Sequence, residues 1–310
     1  MNNPNFIVEL ATLGIIQISG PDAEKFLQGQ LTCDVREVTA TQSRLGAHCD
    51  NKGRILATFR LFNLQKNYYL QLPSNLINHL LTSLKKYAVF SKVSLTDVSH
   101  QWRQIGIMGS DNLPTLGIQL PQAIDETICE DEVIIARLPS NAIARFSLLG
   151  THAAIEKIYS DLQNTCQTTD FSTWQIIDIE TGIPSLSPET TGLFTPQQIN
   201  YSAINGVSFN KGCYIGQEII ARMHYLGKQK QRMYKISFVT SSNVTAGAKV
   251  LSGTDESVEE CGTLVQAINI QAQTWHGLAV IYDKAIKQNL YVENLHIPIL
   301  DVKDLPYTSN

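Results

Sequence analysis

Short apolar–polar alternations, broken by a few stripes of helical spacing in no repeating order, set the fold class of this 310-residue chain. Residues 6–10, 14–18, 43–49, 54–62 and 67–72 carry the period of two that a half-buried strand needs. A helix is expected from Pro21 and Asp22, with Phe26, Leu27 and Leu31 on its apolar face. Another should open at Pro73 and Ser74 and run to Tyr87, because Leu76, Ile77, Leu80, Leu81 and Leu84 fall on one side. Lys85 and Lys86 close that helix and suit its negative end. Further strands are expected over 93–95, 104–108, 133–138 and 144–149, and helices over 153–162 and 174–180, the last stopped by Gly182 and Pro184. From Met233 onward short strands over 234–239, 263–268, 277–281 and 291–299, with glycines between them, have the spacing of a small barrel. Strands and helices mixed this unequally give an α+β protein, not a repeating βαβ one.

Composition narrows the function classes. A net charge of −4 is too low for a polybasic nucleic-acid binder. Cys33, Cys49, Cys129, Cys166, Cys213 and Cys261 form no C-x-x-C pair, which speaks against a zinc ribbon, a thioredoxin motif or an iron–sulfur cluster held within the chain. Neither G-x-G-x-x-G nor a Walker lysine occurs. The N-terminus has no basic region followed by an apolar run, and no apolar run reaches the roughly 18 residues of a membrane span, so a cytoplasmic location with reduced thiols is expected.

The stretch richest in chemistry is Lys211-Gly212-Cys213-Tyr214-Ile215-Gly216-Gln217-Glu218. Two glycines beside a cysteine predict a tight turn or a close approach of backbone. Lys211 stands two residues from the thiol, and a helix should begin at Gln217, so both a cation and a helix N-terminus would favour thiolate at Cys213. The plainer reading makes Cys213 a small buried apolar residue. Asp50-Asn51-Lys52-Gly53 is a turn by composition, and Asp50 either bonds its own backbone or lines a cavity. After the cysteine, Arg222, His224, Lys228, Lys230, Arg232 and Lys235 follow with no acid between them. Arg222, Tyr225 and Arg232 either grip a polyanion or belong to a solvated basic loop.

K-G-C-Y-x-G-Q-E resembles the signature of the YgfZ family, the tRNA-modifying, folate-binding relatives of the glycine cleavage T-protein. Four more blocks resemble it in the same order: residues 27–32 (LQGQLT), 47–54 (AHCDNKGR), 84–93 (LKKYAVFSKV) and 179–184 (IETGIP). The resemblance runs to about Arg232 and is thin between 100 and 165. It implies interleaved N-terminal lobes of antiparallel sheets with flanking helices around a central cavity, and a C-terminal β-barrel. Residues 1–98 and 166–230 would form the first lobe, 99–165 a second lobe inserted in it, and 231–310 the barrel.

By the same resemblance the cavity holds tetrahydrofolate or a one-carbon derivative, and Gln28-Gly29-Gln30 forms part of its wall. Trp174, otherwise a core aromatic, would stack on the ligand, and Glu180, otherwise a solvated helix residue, would bind the pterin N–H groups. Asp50, Gln217 and Arg222 are further candidate binding residues, and Leu13 stands where the family carries a second tryptophan. Cys213, with Lys211, would act at the cavity edge on a folate-bound carbon or on a partner's cluster. The aminomethyltransferases place an acidic residue just past the turn glycine. Leu56 and Ala57 occupy those positions and can move no proton, so turnover of that kind lacks its acid/base group. The implied role is to support iron–sulfur enzymes, including those that methylthiolate tRNA, with an indirect effect on tRNA. The alternatives are a folate-dependent aminomethyl or methyl transferase and a direct tRNA-binding protein.

Overall fold

The computed structural model describes residues 5–109, 119–130, 132–141, 143–254, 257–292 and 297–307. Strand β1 (Phe6–Glu9) is followed by β2 (Leu13–Ser19), helix α1 (Ala23–Gln28), β3 (Arg44–Cys49), β4 (Ile55–Leu64), β5 (Asn67–Pro73), α2 (Ile77–Lys85) and β6 (Ser94–Asp97). Then come β7 (Trp102–Gly109), β8 (Thr127–Glu130), β9 (Val133–Leu138), β10 (Ala144–Thr151), α3 (His152–Gln163), β11 (Gln167–Thr169), α4 (Phe171–Thr181) and α5 (Gln217–Leu226). The remainder is β12 (Gln231–Val239), β13 (Lys249–Thr254), β14 (Ser257–Gln271), β15 (Thr274–Tyr282), β16 (Leu290–Val292) and β17 (Ile297–Lys303). These form a five-stranded sheet β3-β4-β5-β2-β6, a six-stranded sheet β11-β1-β7-β10-β9-β8 and a closed barrel β12-β15-β14-β13-β16-β17. The α+β class and the C-terminal barrel are therefore as the sequence implies.

Strand parity explains the layering. On β4, Ile55, Ala57, Phe59 and Leu61 enter the core that α1 and α2 share, while Phe62 and Leu64 join Val8, Met108 and Leu149 of the other sheet. Ile105, Ile107, Phe146 and Leu148 of β7 and β10 face the opposite way, onto α3 residues Ile155 and Leu162. The two sheets thus lie face to face, with α1 and α2 outside one and α3 outside the other, while Trp174 of α4 enters the layer between them. Because β4, β5, β7 and β10 are covered on both sides, they read as nearly continuous buried runs. Part of the layer between the sheets is polar. Gln71 Nε2 donates to Gln104 Oε1 at 2.7 Å and to Ser147 Oγ at 3.3 Å, and Gln104 Nε2 donates to the Leu13 carbonyl at 2.9 Å.

Three expectations change. Strand β1, assigned from sequence to the lobe of residues 1–98, pairs antiparallel with β7 and in parallel with β11, which places Ile7 and Val8 in the cores on opposite faces of that sheet. The expected strand 291–299 is a pair, β16 and β17, with Tyr291 opposite Pro298. Strands β11 and β13, short and rich in small or polar residues, were not marked by alternation.

Candidate functional site

Helix α4 ends on Gly182 at φ +72, the left-handed conformation glycine takes at a helix stop. Trp174 and Asp178 lie four residues apart and so share a face. Both line two adjoining chambers, an outer one of about 450 Å³ and an inner one of about 90 Å³, with Leu13, Pro73 and Ser185 on the shared wall. Thr58, Arg60, Gln71 and Tyr201 add polar groups to the inner chamber.

Arg145 forms the charged part of that wall. Its side chain is 0% exposed, its Nη1 donates to Asp178 Oδ1 at 2.8 Å, and its guanidinium lies 4.7 Å from the Trp174 ring centroid. Its Nε and Nη2 are buried with no hydrogen-bond partner. Burial pushes the Asp178 carboxyl up, with Arg145 pulling against it. Burial likewise works against the charge on Arg145. A buried guanidinium with two orphaned donors is costly, by about 1–3 kcal/mol for each unmet group, unless an acceptor enters from the chamber.

The expected site residues divide. Leu13 and Trp174 line the cavity, although Trp174 is 3% exposed and packs against Gly106, where a Cβ would come within 2.3 Å of its ring. Glu180 does not line either chamber. It lies about 200° around the helix from Asp178, and binds Lys235 and, at 3.1 Å, His276 Nδ1 of the barrel. Burial pushes its carboxyl up, but Lys235 and His276 outweigh that and hold it below the usual range. Glu180 is thus a stitch between α4 and the barrel. Asp50 caps its own turn, its Oδ1 accepting from the Lys52 and Arg54 amides at 2.8 Å each. Gln217 Oε1 accepts from the Tyr214 amide at 3.3 Å, inside its own loop, and Arg222 is exposed on α5.

Cys213 is exposed and lines neither chamber. Its loop packs elsewhere. The Ile215 amide donates to the Gly29 carbonyl at 3.2 Å, and Gly216, at φ +80, sits where a Cβ would be 2.5 Å from the Asp50 carbonyl oxygen. Lys211, expected to activate the thiol, is buried and donates to the carbonyls of Leu31 at 2.7 Å and Cys33 at 2.6 Å. Burial lowers its pKa to about 8. It is a pin beneath the loop. The Gln28-Gly29-Gln30 segment also lies away from the central chambers, and Gly29 and Gln30 line a separate small cavity. In the basic run, Lys235 is held by Glu180, and Arg232 pairs with Asp283 and Asp304, so the proposed grip of Arg222, Tyr225 and Arg232 has lost a member to the barrel.

Arg145 and Asp178 went unnoticed in the sequence, yet both carried a signal. Asp178 is one turn from Trp174, and Arg145 has the parity of Ser147 and Leu149, which face the other sheet.

Residues 3–116 match the GCVT N-terminal domain family. The crystal structure of glycine cleavage system aminomethyltransferase T from Bartonella henselae superposes with a TM-score of 0.74, covering 99% of this chain and 87% of that one, at 13% identity. At that identity the likeness is one of fold. A tRNA-modifying protein YgfZ from Colwellia psychrerythraea is 36% identical over 232 residues, 74% of this chain and 70% of the relative. This chain belongs to the YgfZ family. A YgfZ protein from Aliivibrio fischeri is 32% identical over 325 residues, 99% of this chain and 94% of its own. Within this GcvT-like fold, Leu56 and Ala57 follow Ile55 at the start of strand β4, with Ala57 fully buried and Leu56 in phase with Thr58 and Arg60. No proton-transfer group stands at either position.

Proposed function

We propose that this chain binds tetrahydrofolate, or a one-carbon derivative of it, in the paired chambers beside Trp174, and so supports iron–sulfur enzymes that modify tRNA, methylthiolation included. The observation that carries this reading is the Arg145–Asp178 pair, whose guanidinium offers two unmet donors next to a carboxylate acceptor. A pterin displays a carbonyl beside N–H donors and matches that pair in chemistry. The outer chamber, about 450 Å³, falls inside the ~300–1,000 Å³ range of small-molecule pockets. Asp178 takes the part expected of Glu180. Bound folate would supply a carrier for a one-carbon unit, and this chain would hold and orient it. With Leu56 and Ala57 in place of an acid, carriage is favoured over aminomethyl transfer.

Cys213 serves a different surface in this reading. Exposed, and outside both chambers, it suits transient ligation of a partner's iron better than attack on a folate-bound carbon. The proposed setting is cytoplasmic. Among the described residues no helix is long and apolar enough to cross a membrane.

Tetrahydrofolate titrated against intrinsic fluorescence tests the reading. Wild type should saturate, Ala246→Phe should lose most of the affinity by filling the outer chamber, and Glu180→Gln should stay near wild type. A flat wild-type titration, or loss in Glu180→Gln with Ala246→Phe unaffected, would refute it. Methylene-tetrahydrofolate should show no turnover.

A further inference from the structure

A second cavity, about 240 Å³, opens between α1 and the turn that follows α2. Its walls include Lys25, Gly29, Gln30, Tyr87, Phe90 and Ser91. Phe90 is 99% exposed and Val89 73%, with Tyr87 half exposed beside them. This turn is tightly held. The Tyr87 amide donates to the Leu84 carbonyl at 3.0 Å, Ser91 to Ala88 at 2.9 Å, and the Lys92 amide to Asp22 Oδ2 at 2.7 Å. A firmly built turn that presents a phenyl ring to water is arranged for contact, since a lone exposed apolar residue is ordinary but three together are not.

Gln30 supplies the polar half of the cavity. Its residue is 9% exposed, and its Oε1 is buried with no partner. Its backbone is fixed, because the Gln30 carbonyl meets His48 Nδ1 at 3.0 Å while His48 Nε2 meets Ser83 Oγ at 2.9 Å. A carbonyl can only accept, so Nδ1 carries the proton and Nε2 accepts from the serine hydroxyl. The Gln30 backbone is therefore held from behind, and its side chain lines the cavity with Oε1 unpartnered. Lys25 lines the cavity together with Asp22, whose Oδ2 is held by the Lys92 amide, and Lys85, Lys86 and Lys92, next in sequence to the turn, are exposed.

We propose that this cavity binds an unpaired RNA nucleotide, its base stacked on Phe90 and Tyr87 and donating to Gln30 Oε1, with the flanking phosphates on Lys25 and the lysines next to the turn. Aromatic faces joined to lysines are the means by which single-stranded RNA is held, and a base offers both the flat face and the N–H donor that this site lacks. The volume is below that of a drug-sized pocket and suits one ring system. The site borders the Cys213 loop through the Ile215–Gly29 hydrogen bond, so RNA held here would lie beside the exposed thiol. The inference rests on the tRNA-modification reading and goes past it, making the chain touch RNA itself.

Fluorescence anisotropy with a labelled anticodon stem-loop RNA provides the test, with the same bases in a blunt duplex as competitor. Wild type should bind, and the duplex should compete poorly. Phe90→Ala, at a fully exposed position, should keep the wild-type melting temperature and weaken binding about 5- to 150-fold. Lys85→Ala/Lys86→Ala should lower the slope of log affinity against log salt by about 1.4. Tetrahydrofolate titration of Phe90→Ala should match wild type, which separates this site from the folate reading. Absence of RNA binding in wild type would overturn the proposal and leave the patch to a protein partner. Unchanged affinity in Phe90→Ala, with loss in Arg222→Ala/Lys228→Ala, would overturn it by moving the RNA to α5.

Discussion

The six cysteines differ by environment more than by sequence context. Burial pushes the thiols of Cys33 and Cys129 up to about 11 and raises Cys49, Cys166 and Cys261 as well, whereas Cys213 lies open to solvent. Iodoacetamide at neutral pH should therefore modify the folded protein at Cys213 first, with the label vanishing in Cys213→Ser; even labelling of all six by mass spectrometry would contradict this. Lys211 gives a pH prediction. Burial depresses its pKa from 10.5 to about 8, so between those values the unfolded chain binds more protons than the folded one and stability rises with pH. Wild type should gain on Lys211→Met in urea midpoint from pH 8 to 10, while a flat difference would mean that the ammonium is not desolvated. Arg145→Met alone should cost about 3–5 kcal/mol by leaving Asp178 without its cation, and Arg145→Met/Asp178→Leu should recover most of that. Both should abolish tetrahydrofolate binding, measured beside urea unfolding.

Among the elements, α5 was legible from its glycines and its helical residues, but its purpose was not. It seats on the turn between β3 and β4, where Gly53 at φ +72 admits Ile219 and Ile220, and Gly216 at φ +80 meets the Asp50 carbonyl. Gly216→Ala combines an unfavourable backbone conformation with a backbone clash, and should destabilise by about 1–3 kcal/mol in urea unfolding. Gly212→Ala, with nothing within 4 Å of the added carbon, should cost less. Helix α4 shows the limit of reading by motif. The block ending in Gly182 and Pro184 drew attention to Glu180, but the 3.6-residue period puts Asp178, not Glu180, on the Trp174 face. Lys235 and His276, which occupy Glu180, come from the barrel strands β12 and β15, far along the chain.

At the scale of the molecule, two sheets exchange segments before the barrel closes. Strand β1 crosses into the six-stranded sheet and pairs on both sides, so removing residues 1–9 should strip partners from β7 and β11. Limited proteolysis of that truncation should cut within residues 102–169 faster than in the full chain, and unchanged protection would show β1 to be dispensable. The sequence by itself determined the α+β class, most hairpins, the terminal barrel and the family, because alternation, turn residues and motifs act over a few residues. The family resemblance, not the spacing of residues, pointed to Leu13 and Trp174, and both line the chambers. Tertiary structure alone decided that Lys211 points down to the carbonyls of Leu31 and Cys33, that Glu180 is spent on the barrel, and that Arg145 meets Asp178 between the sheets. Each of these depends on which charged group lies across a buried interface, and local spacing carries no record of what packs on the other side.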